Sequence, residues 1–179
     1  MSTSVSAYPP SVQAGIPKLG ALPHGWTRVR LGDLLRPVYR PIEIIDDQIY
    51  QLVTARRSRG GIVARERLLG RDIKVKDQYE VRAGDFILSN RQISHGGVGL
   101  VPPELDSAIV SGEYTVLEPC GPIDLAYLSA FSHSIYFQQI CFHSSIGVHV
   151  EKLVFRLEDW LNWEIYLPPP KEQHRISDA

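Results

Sequence analysis

The sequence is poor in cysteine, and its two, Cys120 and Cys141, stand far apart. No C-x-x-C spacing occurs, which argues against a zinc site or a disulfide framework and for a reducing cytoplasm. No apolar run approaches the roughly 18 residues of a membrane span, so no membrane partner is expected. Residues 1–21 lack a basic start followed by an apolar core, so they do not read as a secretory signal. Rich in Ser, Pro, Ala and Gly, they read as a disordered arm. There is no internal repeat and no heptad pattern. A phosphate loop is missing too: His95-Gly-Gly-Val-Gly99 fits neither G-x-G-x-x-G nor Walker A, and no helical pattern follows it. Cys141, His143 and His149 are too loosely spaced for a structural metal. No cofactor and no metal are expected.

What is present is an ordinary apolar content, 44%, in 179 residues, enough chain for one domain with a real core. The net charge is only −1, which as an average speaks against nucleic acid. The average hides a segregation. Residues 54–76 hold eight basic side chains against two acidic ones: Arg56, Arg57, Arg59, Arg65, Arg67, Arg71, Lys74 and Lys76 against Glu66 and Asp72. Residues 104–179 hold four basic against eleven acidic. One basic segment on an acidic protein is the footprint of local, oriented contact with a polyanion.

Pattern places the elements. Trp26–Leu31 reads as a strand and Leu31–Leu35 as a helical turn. Tyr50–Thr54 alternates as a strand, Ser58-Arg-Gly-Gly61 is a turn, and Ile62–Arg65 resumes the strand. Phe86–Arg91 is a strong strand, and His95-Gly-Gly97 turns the chain into Val98–Val101. Ala108–Ser111 and Tyr114–Leu117 read as another strand pair. From Asp124, a plausible N-cap, the period becomes helical through Leu125, Leu128, Phe131 and Ile135, in one helix or two short ones reaching His143. Leu153–Leu157 and Glu164–Leu167 return to extended chain. The reading is a mixed α/β domain: a mostly antiparallel sheet, then a helical hairpin.

Two loops could read bases. In Arg56-Arg-Ser-Arg-Gly-Gly61, arginine forks match phosphate oxygens and the guanine O6/N7 edge, and the glycines let backbone approach a groove. The bland reading is a solvated arginine loop. In Asn90-Arg-Gln-Ile-Ser-His95, Asn90 and Gln92 suit adenine, and Arg91 suits guanine or phosphate. The bland reading there is ordinary hairpin polarity. His95 closes this loop and joins the candidate set. Arg65, Arg67, Arg71, Lys74 and Lys76 fit phosphate contacts, which position without specifying. Asp72-Ile-Lys74 has the form of a nuclease half-site, but no Pro-Asp upstream supplies a second acidic ligand. Trp26, Trp160 and Trp163 read as apolar packing where the ends of the domain meet.

At the C-terminus, three prolines end a strand and Lys171–Ala179 opens a helix. About two turns of helix are too few to stand alone in water, so this helix docks on a partner or begins a longer one. Pro169, Pro170, Glu172, Gln173 and Ile176 are its candidate assembly residues.

Five stretches, in order, resemble Type I restriction-modification specificity subunits. They are Leu22-Pro-His-Gly-Trp26 with Val29-Arg-Leu-Gly-Asp33; Gly84-Asp-Phe-Ile-Leu-Ser89; Asp124-Leu-Ala-Tyr-Leu128; Trp160–Pro168 as the last strand; and Leu167-Pro-Pro-Pro-Lys-Glu-Gln-His-Arg-Ile176. The resemblance spans about residues 22–176. It implies a barrel-like target recognition domain over 22–168, followed by the start of a long helix at 169–179. A complete subunit of that kind carries two such domains and two helices. The resemblance further implies a non-catalytic role in phage defence. The domain would read one half of a bipartite duplex-DNA target and hand it to a methyltransferase subunit, and through that to a restriction subunit. Self-association through the C-terminal helix is also open to it. Two rivals remain: an adaptor that docks without reading DNA, and a small metal-dependent nuclease using Asp72 and Lys74.

Overall fold

The computed structural model of the chain describes residues 12–179. The described part of the expected arm, residues 12–21, has no strand or helix. It is nonetheless tied to the domain: the Gly15 carbonyl lies 3.1 Å from His143 Nε2, and the Gly20 carbonyl accepts from the Tyr166 hydroxyl at 2.7 Å. The remainder of that arm, residues 1–11, lies outside the described residues.

The chain then forms β1 (Thr27–Arg30), a 3-10 turn (Leu31–Asp33), β2 (Leu35–Pro37), β3 (Pro41–Ile42), β4 (Ile49–Ala55), β5 (Ile62–Leu69), β6 (Gln78–Glu80) and β7 (Phe86–Ser89). After these come β8 (Val98–Leu100), β9 (Ile109–Ser111), β10 (Tyr114–Pro119), α1 (Leu125–Phe131) and α2 (Ile135–His143). The last third holds β11 (Ser145–Ile146), β12 (Val154–Phe155), α3 (Leu157–Leu161), β13 (Glu164–Leu167) and α4 (Pro170–Ser177).

Two sheets carry the domain, in orders β2-β10-β7-β8 and β3-β6-β9-β4-β5. Pairing is antiparallel except for β4 beside β9, and the sheets do not close into a barrel. The strand pair expected from 108–117 is split. β9 joins the five-stranded sheet and β10 the four-stranded one. Each pairs instead with strands far away in sequence: β9 with β6 and β4, β10 with β7 and β2.

Strand β7 shows why the layers form. Phe86 and Leu88 face one core with Leu31, Leu117, Phe137 and Trp160; Ile87 faces the other with Val53, Ile62 and Val110. All three are fully buried. The two-residue period therefore places one strand between a helical layer and the second sheet. Asp85, just before β7, is buried and receives both nitrogens of the Arg40 fork, at 2.6 and 3.2 Å. That bond raises the Arg40 guanidinium above its usual range.

The helical hairpin is capped as expected. The Asp124 carboxylate accepts from the Ala126 N–H at 2.7 Å, and the Ser134 hydroxyl accepts from that of Phe137 at 3.1 Å. Helix α3 takes part of the stretch expected to be extended, because Trp160 must turn inward to the core, where it is 0% exposed. β1 pairs with β13, so the ends of the domain meet. There Trp26 donates to Glu172 at 3.0 Å, and Trp163 to Ser144 at 3.0 Å. Cys141 is fully buried, and burial pushes its thiol far above the usual range.

The C-terminal helix docks on its own domain. Gln173 is 1% exposed. Its side-chain oxygen accepts from the Asp124 N–H at 2.8 Å, and its nitrogen donates to the carbonyls of Pro122 and Pro168 at 2.9 Å each. Gln173 is thus an internal tether, not a partner-facing residue, since every polar atom of its amide is already bonded. Glu172 and Ile176 are half-buried against the same domain. Pro169 and Pro170 remain exposed.

Candidate nucleic-acid interface

The two loops picked from sequence lie against each other. Strands β4 and β5 form a hairpin whose turn places Ser58 and Arg59 at φ of 55° and 57°, with the Gly60 N–H returning to the Arg57 carbonyl at 3.1 Å. Left-handed backbone at two non-glycine residues is strained, and such strain gathers at working sites. The turn is held by the second loop. The Ser58 N–H donates to the His95 carbonyl at 2.6 Å and the Arg59 N–H to that of Gly96 at 3.1 Å. Gly96 sits at φ of 80°, and a Cβ there would come within 3.0 Å of the Arg59 nitrogen. Only glycine permits both that conformation and that approach.

Side chains complete the junction. Arg57 donates from Nε to Gln92 Oε1 at 2.7 Å and from Nη2 to Glu151 at 3.0 Å. Glu151 lies on the loop between β11 and β12, a segment with no marked role in the sequence reading. That hairpin is bound to the second loop: the Phe155 N–H donates to the Asn90 carbonyl at 3.0 Å, and the Ser94 and Ser145 hydroxyls are 3.3 Å apart. Three loops therefore meet. The third could have been suspected only from Ile146-Gly-Val-His-Val150, an apolar alternation with no sheet to bury it.

Not every candidate faces outward. Arg59 is half-buried: Nε donates to the Ser132 carbonyl at 2.9 Å, Nη2 to Gln138, and burial lowers its basicity. It anchors the turn to α2 and is not placed to meet a phosphate. Asn90 is engaged internally, accepting from the Thr115 hydroxyl at 2.7 Å. His95 is 5% exposed, and its Nε2 lies 3.6 Å from Glu151. Asn90 and His95 thus shape the loop. Arg56, Arg57 and Arg91 are exposed and Gln92 is half-exposed.

The remaining cations follow β5 and the turn after it. Arg65, Glu66, Asp72 and Lys74 rim a cleft of about 370 Å³ beside Leu52 and Tyr114. The basic segment is not uniformly free. Arg57, Arg65, Arg71 and Lys76 have carboxylate neighbours in Glu151, Glu66, Asp47 and Asp46, and Arg91 is paired with Glu113. Lys76 also donates to the Gly70 carbonyl at 2.6 Å. Arg56, Arg67 and Lys74 have no ion pair or side-chain hydrogen bond among the described residues. The pairs are solvent-exposed, and pairs of that kind are worth about 0–1 kcal/mol each, so a phosphate can replace the carboxylate at small cost. Among the described residues no group of three or more His, Cys, Asp or Glu could hold a metal ion. No helix among them is long and apolar enough to cross a membrane.

Three loops thus meet on a two-sheet scaffold, the kind of place where binding residues concentrate. The scaffold is that of Type I restriction-modification specificity subunits. The chain superposes on the HsdS subunit from Thermoanaerobacter tengcongensis with TM-score 0.71 and 24% identity, over 88% of this chain and 41% of that one. It matches a chain from work on complex assembly and conformational transition of the type I R-M system with TM-score 0.71 and 25% identity, over 89% and 42%. It matches the S subunit of the Type-I restriction-modification system from M. genitalium with TM-score 0.55 and 16% identity, over 94% and 40%. No family model and no curated protein matches. The chain therefore has the fold of a specificity-subunit domain. It spans about two-fifths of the length of these solved chains.

Proposed function

We propose that this chain is a non-catalytic, sequence-specific recognition domain for duplex DNA within a Type I restriction-modification specificity subunit. It reads one half of a bipartite target and directs a methyltransferase, and with it a restriction subunit, to that site. The observation that carries this reading is the bond between Arg57 and Gln92. It joins two loops, chosen independently for their base-reading chemistry, into one exposed, preorganised pair. Arg57 and Gln92 with Arg91 would meet base edges. Arg56, Arg67 and Lys74, with Arg65 and Arg71 once their carboxylates are displaced, would meet phosphates and supply affinity through counterion release. The test is binding of the purified chain to duplex DNA at several salt concentrations. Sequence preference together with a steep salt dependence supports the reading; binding that ignores both removes it.

The adaptor reading has one observation in its favour. Carboxylates already accompany half of the basic segment, which lowers its pull on a polyanion. Under that reading the chain binds the methyltransferase but has no affinity for any duplex.

A further inference from the structure

The hairpin of β11 and β12 carries four exposed aliphatic side chains. Val148 is 93% exposed, Ile146 56%, Val154 47% and Val150 43%. A single exposed valine is commonplace; four on one short hairpin, beside arginines, are not. The hairpin is held in place. Leu153 and Phe155 are buried beneath it, the Lys152 N–H closes on the His149 carbonyl at 2.8 Å, and Glu151 bonds Arg57. Its neck is tight as well: a Cβ on Gly147 would lie 2.9 Å from the Lys152 carbonyl oxygen. Val148 thus projects from a fixed mount, next to the two loops assigned to base reading.

We infer that this hairpin is a third DNA-contacting element, and that Val148 meets the 5-methyl group of a thymine in the major groove. The inference rests on the recognition role proposed above. A two-stranded ribbon fits that groove, and the thymine methyl is the one apolar feature on its floor. Arg57, joined to the ribbon through Glu151, keeps Nη1 unbonded among the described residues, a donor that a neighbouring guanine acceptor can take, so a polar and an apolar reader lie on adjoining loops. The charge around the ribbon also selects the occupant. Arg56, which has no ion pair among the described residues, and Arg91, whose exposed pair with Glu113 a phosphate can displace, favour a polyanion over an uncharged apolar protein surface.

Uracil replaces thymine with loss of the methyl group alone. The full chain is used to select its preferred duplex, and each thymine in that duplex is then replaced by uracil in turn. At one position the wild-type chain should lose about fourfold in affinity, the effect of withdrawing one methyl from burial. Val148→Ser, at an exposed site that leaves folding intact, should bind both duplexes alike, with the affinity of wild type for uracil. Indifference of wild type to uracil at every position overturns the inference, as does a selected site without thymine. A sensitive position that persists unchanged in Val148→Ser overturns it too. If Val148→Ser keeps the discrimination but loses the methyltransferase subunit, the hairpin is a protein contact and the inference fails. No preference for any duplex would remove the recognition role itself, a result distinct from these.

Discussion

Arg57 donates its Nε–H to Gln92 Oε1 at 2.7 Å, across 35 residues of sequence. With Nη2 on Glu151, two of the three guanidinium nitrogens are held, and Nη1 has no partner among the described residues. A reading side chain held in this way loses less rotamer entropy on binding than a free arginine.

Replacement of Arg57 by Ala should therefore cost about 1–3 kcal/mol of DNA affinity and relax preference at one base position. Gln92→Ala, which frees the arginine but keeps it, should cost less at the same position. Fluorescence anisotropy with a panel of single-position duplexes measures both. Equal losses on every duplex would make Arg57 a phosphate contact.

Among the described residues Arg67 and Lys74 have no ion pair to displace. Lys74→Ala should weaken binding to all duplexes alike and reduce the slope of log affinity against log salt by roughly 1. Lys76→Ala should do less, because Lys76 is already committed to the Gly70 carbonyl. A salt titration of the three proteins separates the outcomes.

The buried Gln173 side chain makes three hydrogen bonds, two to the segment that leads into α1 and one to the Pro168 carbonyl just after β13. Gln173→Ala leaves one buried N–H and two carbonyls unmatched, and should destabilise the domain by about 3 kcal/mol in urea unfolding. Truncation after Pro169 should do at least as much. A truncated chain of unchanged stability would show that α4 does not tether the domain.

Breaking the Arg40–Asp85 pair should also be expensive. Asp85→Ala strands a guanidinium that is only 19% exposed, and should cost about 3 kcal/mol, read as a fall in Tm.

In the native chain a thiol reagent should titrate Cys120, which is exposed, and spare Cys141, which is buried and held protonated. In denaturant both should react. Two fast-reacting thiols in native buffer would mean that the helical core is open.

Local patterns were legible in the sequence because local physics set them. Alternation marked β4, the Asp124 cap marked α1, and the turn at Ser58–Gly61 marked the β4–β5 hairpin. Pairing was not legible where it was chosen over distance. β9 and β10 look like neighbours, but each is claimed by a different sheet. Helix α3 is five residues long, too short for a period to show, and is set by the burial of Trp160. The basic segment was visible as composition, yet Arg59 turns inward because the strained turn aims it at Gln138 and the Ser132 carbonyl. The third loop offered only the apolar alternation of Ile146–Val150 until the fold sets Glu151 beside Arg57.

The most direct measurement is selection from a pool of random duplexes by the purified chain, with the bound fraction sequenced for wild type and for Arg57→Ala. The account predicts one short enriched motif for wild type, and the same motif with a single position relaxed for the variant. A bound fraction indistinguishable from the input pool, or a motif that Arg57→Ala leaves untouched, would contradict it.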